Sequence, residues 1–137
     1  VIYSGGGYME ILAIRLKGQL AENSKILSYQ GIFPEHNHNE IEGWNNLEDL
    51  ISNFSVIWLK DKNDISYIKK RMTIVENIID NFTNKQVKLD LKGNSIIEMV
   101  FSMIHLMDWI SFYLAIMYKK NPSPVENIIK LKSLMID

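Results

Sequence analysis

The chain has 137 residues, 47% of them apolar, with 15 Lys and Arg against 16 Asp and Glu and no cysteine. That is enough apolar chain for one domain with a real core, far from the composition of disorder. A net charge of −1 offers no broad grip on nucleic acid or an anionic membrane; the lack of cysteine removes disulfides, thiolate metal sites and cysteine nucleophiles, and suits a cytoplasmic protein.

Val1 to Ser4 is β-branched and aromatic, which predicts a short buried strand. A chain that opens on a core strand, with no basic region and no long apolar run before it, predicts missing upstream sequence and no signal peptide. Gly5, Gly6 and Gly7 follow, then a helical pattern from Tyr8 to Asn23 with apolar Ile11, Leu12, Ile14, Leu16 and Leu20. Strand, glycine turn and helix together present backbone N–H groups to an anion, so Gly5 and Gly6 are candidate phosphate contacts. The run is neither a Walker loop nor GxGxxG, and a tight turn alone explains it equally well.

Ile26 to Tyr29 predicts a second strand, broken by Gly31 and Pro34. Asn39 is placed to cap a short helix through Trp44. Phe54 to Leu59 predicts a third, fully apolar strand, and Ile65 to Phe82 an amphipathic helix through Ile68, Met72, Val75, Ile78, Ile79 and Phe82. Lys85 to Leu91 alternates, with Val87, Leu89 and Leu91 on one face of a fourth strand. Ser95 to Tyr118 is a long apolar helix, with Asn94 as its predicted cap. Glu98, His105 and Asp108 inside it oppose a membrane span, since polar groups at the bilayer centre are costly. It is therefore expected between layers or in a subunit interface, with His105 and Asp108 as a buried hydrogen-bonded pair. Pro122 and Pro124 stop it, and Val125 to Ile136 is a last amphipathic helix. Apolar strands alternating with helices predict an α/β three-layer sandwich, a mainly parallel sheet of four to five strands with helices on both faces.

Proton-transfer groups concentrate between Glu22 and Trp44. Glu22 ends the first helix, where the negative end of the dipole favours proton uptake by a carboxylate, as a general base requires; a solvated helix-end Glu is the competing explanation. His36 and His38 with a later Glu partly imitate a cupin metal motif through Gly31, His36, His38, Glu42 and Gly43. The glycine spacing is wrong for that motif and three long helical patterns do not fit a β-barrel, so no metal or other cofactor is expected. A catalytic imidazole is the alternative, because histidine titrates near neutrality. For His36 itself a solvated loop position is expected.

The segments AIRLKGQLAENSK, PEHNHNEIEGW and MIHLMDWISFYLAIMY followed by NPSPVENIIKLK, in that order, resemble the C-terminal half of the bifunctional phosphoglucose/phosphomannose isomerases, members of the sugar isomerase (SIS) domain superfamily. The resemblance covers nearly the whole chain and implies a single SIS-type domain over residues 1–137, the second half of a two-domain enzyme. It places the family's catalytic base on Glu22, its ring-opening histidine on His38, directly before Asn39 and Glu40, and a further proton shuttle on Lys130. The family's Thr is replaced here by Ser123, which keeps the hydroxyl and loses a methyl, leaving the substrate preference open. The implied reaction is aldose–ketose isomerisation of hexose 6-phosphates through a cis-enediol, with no cofactor. The implied partners are a hexose 6-phosphate, an N-terminal SIS domain of the same protein, and a second subunit whose histidine reaches the site. A non-catalytic sugar-phosphate-binding regulatory module and a purely structural dimerisation domain are the other readings. Glu22, His38 and Lys130 occurring together argue against both, since binding alone needs no base.

Overall fold

The computed structural model describes residues 1–46 and 48–135. Strands β1 (Ile2–Ser4), β2 (Gln30–Ile32), β3 (Val56–Lys60) and β4 (Gln86–Asp90) form one sheet in the order β2-β1-β3-β4. All three pairings are parallel. The helices are α1 (Tyr8–Glu22), α2 (Glu48–Ile51), α3 (Ser66–Ile79), α4 (Ile96–Met117) and α5 (Glu126–Leu134), and two 3₁₀ helices, Glu35–His38 and Glu40–Trp44, follow β2. The element order is as expected from the sequence, with the 3₁₀ helix Glu35–His38 and the four-residue α2 added and the short helix through Trp44 being 3₁₀.

Side-chain alternation along the strands builds two cores. Ile2 and Leu59 meet Leu12, Leu16 and Leu20 of α1 and Met99, Met103 and Met107 of α4 on one face. Tyr3, Val56 and Trp58 meet Ile68, Met72, Val75 and Ile79 of α3, with Phe33 and Trp44, on the other. The sheet is thus covered on both faces, the three-layer α/β arrangement its parallel strands require. Each fully buried Leu, Ile or Met contributes roughly 1.5–3 kcal/mol, so α1 and α4 are held mainly by this burial rather than by polar ties.

Several elements sit elsewhere than the sequence pattern predicts. The second strand is not Ile26 to Tyr29: Leu27 is 94% exposed, and pairing starts only where Tyr29 O accepts from Ile2 N at 2.8 Å. The strand then runs through Gly31, read from sequence as a breaker. A Cβ there would stand 2.6 Å from both Glu40 Oε2 and the Tyr3 ring, so glycine is set by a close approach. Of the apolar α1 residues, Ile11 and Ile14 face outward while Met9 and Ala13 are buried. In β4 only Leu91, just beyond the strand, is fully buried; Val87 is exposed.

The cap of α4 is Ser95, not Asn94. Ser95 Oγ accepts from Glu98 N at 3.2 Å, and Glu98 Oε2 accepts from Asn94 N at 2.7 Å, so a Ser-x-x-Glu pattern closes the end from both sides. His105 and Asp108 do not form a buried pair. His105 is exposed and accepts from Trp109 Nε1 at 3.1 Å, whereas Asp108 takes hydrogen bonds from Arg15 and Gln19 of α1. A residue three positions on lies about 60° away around the helix from its partner, and here α1 claims one side chain and not the other. The buried row of α4 is Met99, Met103, Met107, Ser111 and Ala115; the rest of the helix is largely open. By length and composition α4 could cross a membrane, but that row packs on α1 and the sheet. α5 buries none of its residues, and the last residue of the predicted final helix, Ile136, lies outside the described residues.

Candidate active site

α1 runs antiparallel to the strands it connects, so its last residue, Glu22, stands at the edge where the strands begin. Helix α4, also antiparallel to the sheet, ends at the same edge. Its last turn closes when Lys120 N donates to Ala115 O at 2.8 Å and Lys119 N to Ile116 O at 2.9 Å, with Lys119 at φ 54°. This is a Schellman arrangement with lysine where glycine is usual. The chain then turns through Asn121, whose Oδ1 accepts from Ser123 N at 3.0 Å, and enters α5. Asn23 Nδ2 donates to Ser111 Oγ at 2.9 Å, and Ser24 Oγ to Ser111 O at 2.7 Å, joining the ends of α1 and α4. Lys25 Nζ donates to Glu22 O at 2.6 Å and to Pro124 O at 2.7 Å.

A depression of about 540 Å³ results, lined by Glu22, Lys25, Lys120, Asn121, Pro124 and Glu126 among others. Glu22 and Lys130 are exposed, as is Ser123. The structure therefore brings Glu22 beside the segment, about a hundred residues later, that carries Ser123 and leads to Lys130. Neither glycine-turn candidate belongs to this cluster. Gly5 and Gly6 precede the start of α1, and its 15 residues put them roughly 22 Å from Glu22 along the helix axis. That is longer than a hexose phosphate. A Cβ on Gly5 would come within 2.8 Å of Asp64 Oδ1, so packing alone accounts for the glycine. Burial, then the charge of Asp61, pushes the Asp64 carboxyl up from its ordinary range, and two carboxylates over the turn oppose a phosphate there.

The histidine loop lies on the other face of the sheet. The two 3₁₀ helices lead back across the end of β2, fixed by Trp44 Nε1 donating to Tyr3 OH at 2.9 Å and by Tyr29 OH donating to Glu40. Asn39 caps the second of them by accepting from Glu40 N at 2.7 Å, as its position predicts. Arg71 of α3 donates to Asn37 Oδ1 at 3.2 Å. His38 is exposed. His36 is not the solvated loop histidine expected: it is fully buried, 4.3 Å from the Tyr3 ring and stacked on Phe33 at 5.0 Å. Neither of its nitrogens has a hydrogen-bond partner among the described residues, and burial pushes its pKa down to about 4. On a 3₁₀ turn residues two apart are separated by about 120° around the axis, so the core takes one histidine and leaves the other to solvent. Within one chain the sheet stands between Glu22 and His38.

Known proteins share both this sequence and this fold. A family model described as the bacterial phospho-glucose isomerase C-terminal SIS domain matches residues 1–135. A bifunctional phosphoglucose/phosphomannose isomerase of Caldicellulosiruptor bescii is 36% identical over 137 residues, all of this chain and 40% of the relative. Proteins of the same name from Aquifex aeolicus and Thermoplasma volcanium are 38% and 33% identical, over 88% and 96% of this chain and 38% and 41% of their own lengths. The chain thus spans about two fifths of the length of the curated relatives it matches. Among solved structures, a glucose-6-phosphate isomerase-like protein from Thermus thermophilus superposes with a TM-score of 0.69 at 15% identity, over 88% of this chain and 40% of that one, a likeness of fold.

Proposed function

The chain belongs to the family of bacterial phosphoglucose isomerase C-terminal SIS domains, and from that membership we propose that it is the C-terminal half of a sugar-phosphate isomerase that interconverts glucose 6-phosphate or mannose 6-phosphate with fructose 6-phosphate. The observation that carries the reading is the depression in which Glu22 adjoins the turn bearing Ser123 and leading to Lys130. Lys25, which joins Glu22 O to Pro124 O one residue after Ser123, supports grouping them.

The chemistry asks for few groups. With the sugar open, the Glu22 carboxylate takes the C2 proton. The C–H electron pair becomes the C1=C2 bond of a cis-enediol, and the carbonyl oxygen at C1 takes up a proton. Glu22 then delivers its proton to C1 while the hydroxyl at C2 loses its own, which leaves the ketose. One carboxylate serves both steps in turn, so no net acid or base is consumed. Ring opening moves a proton between the anomeric hydroxyl and the ring oxygen, work for Lys130 and an imidazole. Because the sheet separates His38 from Glu22 of its own chain, the imidazole is best supplied by His38 of a second subunit in a homodimer. The phosphate contacts belong, on this proposal, to an N-terminal domain of the same protein, consistent with relatives of which this chain covers 40%. The glycine turn of β1 is then a turn only.

The test is Glu22→Gln in the full-length protein. Gln preserves shape and cannot accept the proton, so exchange of the C2 hydrogen with solvent should fall by about 10³-fold or more, while sugar-phosphate affinity stays near wild type. Normal exchange in the variant would place the base elsewhere. Tight binding with no exchange in the wild type would favour a non-catalytic regulatory module.

A further inference from the structure

Glu22, Asn23, Ser24 and Lys25 are consecutive, yet each side chain meets a different need. Glu22 is exposed at the surface of the depression. Asn23 and the buried Ser24 fasten the end of α1 to Ser111 of α4. Lys25 reaches in the other direction, and its ammonium joins two carbonyls, Glu22 O at 2.6 Å and Pro124 O at 2.7 Å. The first is one of the carbonyls left without an intrahelical partner at the end of α1. The second lies one residue after Ser123 and just before α5 begins.

Two further observations single out Lys25. It adopts φ 60°, a left-handed conformation that costs a non-glycine residue about 1–2 kcal/mol. Glycine would avoid that cost and asparagine would reduce it, but neither has the reach or the three donors to bridge both carbonyls. In addition, α5 buries none of its residues, so the part of the chain that carries Lys130 has no core of its own to fix its position. A charged hydrogen bond to a carbonyl still retains net strength where water competes for its partners, enough to order a short turn and not enough to matter to the stability of the whole domain.

We infer that Lys25 is a positioning residue: its ammonium ties the turn at 121–125 to the last turn of α1, and thereby sets Ser123 and Lys130 relative to Glu22. The tie itself rests on geometry alone; its consequence for turnover rests on the isomerase reading above. Neutral Met at this position keeps the length of the stem and loses the donors. Arg keeps the charge and the donors.

Hydrogen exchange on the full-length protein tests the tie. In Lys25→Met, amides of residues 121–135 should exchange about tenfold faster than in the wild type, while those of β1, β3 and α1 and the melting midpoint stay unchanged. Lys25→Arg should restore most of the protection. Equal exchange in the wild type and the Met variant, including the case where the segment is already unprotected in both, overturns the inference. Steady-state kinetics on the full-length protein test the consequence. K25M should lower kcat by about tenfold with a smaller change in KM, because misplacing a reacting group by a fraction of an ångström costs rate more than affinity, and K25R should recover it. Faster exchange with unaltered kcat would show a tie without a catalytic purpose and would overturn the positioning role. An inactive wild-type protein would instead remove the isomerase reading, leaving the exchange measurement to judge the tie.

Discussion

His36 shows how much one position decides. Phe33, just before the 3₁₀ turn, stacks on His36, and the same turn carries His38 outward. The spacing of the two histidines was plain in the sequence, but which of them the core would take was not, because that depends on Tyr3 arriving from a strand far earlier in the chain. Its consequence is a pH dependence of known sign. In the unfolded chain His36 takes up a proton near pH 6.5, whereas in the fold it resists until about 4. The unfolded state therefore binds more protons across that window. The stabilisation is complete above about pH 6.5 and is lost as pH falls toward 4, by up to ~3 kcal/mol through linkage. Comparing urea midpoints at about pH 7 and about pH 4.5 for the wild type and His36→Phe isolates this group from the carboxylates. Phe fits an apolar box in which neither imidazole nitrogen is hydrogen-bonded, so the variant should be at least as stable at neutral pH and should lose much less on acidification. Parallel loss in both proteins would mean that His36 is free to protonate in the folded state.

Among the elements, α3 was the one best announced by its sequence: Ile68, Met72, Val75 and Ile79 of the expected stripe are buried, while Ile78 is exposed and Phe82 lies beyond the end of the helix. What periodicity could not announce is Glu76, which lies on that same face, nearly buried, between Lys60 of β3 at 2.6 Å and Lys88 of β4 at 3.1 Å. A charge within an apolar stripe reads as an interruption until the strands opposite supply its partners. Glu76→Ala should destabilise the domain by about 1–3 kcal/mol, below the full value for a buried pair because Lys88 is half exposed and keeps its water; the drop in urea midpoint measures it. Glu76→Gln should recover part, and a loss within error for the alanine variant would make the triad ornamental. The second strand failed for the converse reason. Ile26 to Tyr29 has the β-branched and aromatic character of a strand, but Leu27 has no layer above it, whereas Gln30 to Ile32, with its glycine, has one. Strand propensity describes fit to a half-buried surface, and that surface is a tertiary fact.

For the molecule as a whole, the alternation of strand and helix was enough for a parallel sheet with helices on both faces, and the abundance of apolar residues on α4 was enough to expect a helix between layers or in a subunit interface. The sequence could not assign that helix's partners, because an apolar residue facing the sheet and one facing another chain look alike. The fold separates them. α4 offers its methionine row to α1 and the sheet, and leaves Ile97, Phe101, Trp109, Tyr113 and Ile116 open; α5 buries none of its residues either. A row of exposed apolar side chains of this kind is costly to leave in water and is the usual mark of a further interface. Assembly is also what the proposed site needs, since Glu22 and His38 of one chain are on opposite faces of the sheet. These two facts lead to one experiment in the full-length protein. Glu22→Gln and His38→Ala should each be inactive alone. If subunits exchange at random on mixing equal amounts, half of the dimers are mixed, and each mixed dimer has one site with both residues intact and one with neither. Activity should then return to about a quarter of wild type, provided each site joins Glu22 of one chain to His38 of the other and the twofold symmetry is otherwise preserved. Mixing must be followed independently, for example by native mass spectrometry of differently labelled chains. Verified exchange with no return of activity would put both residues in the service of a single chain's site, reached around the β2 edge of the sheet.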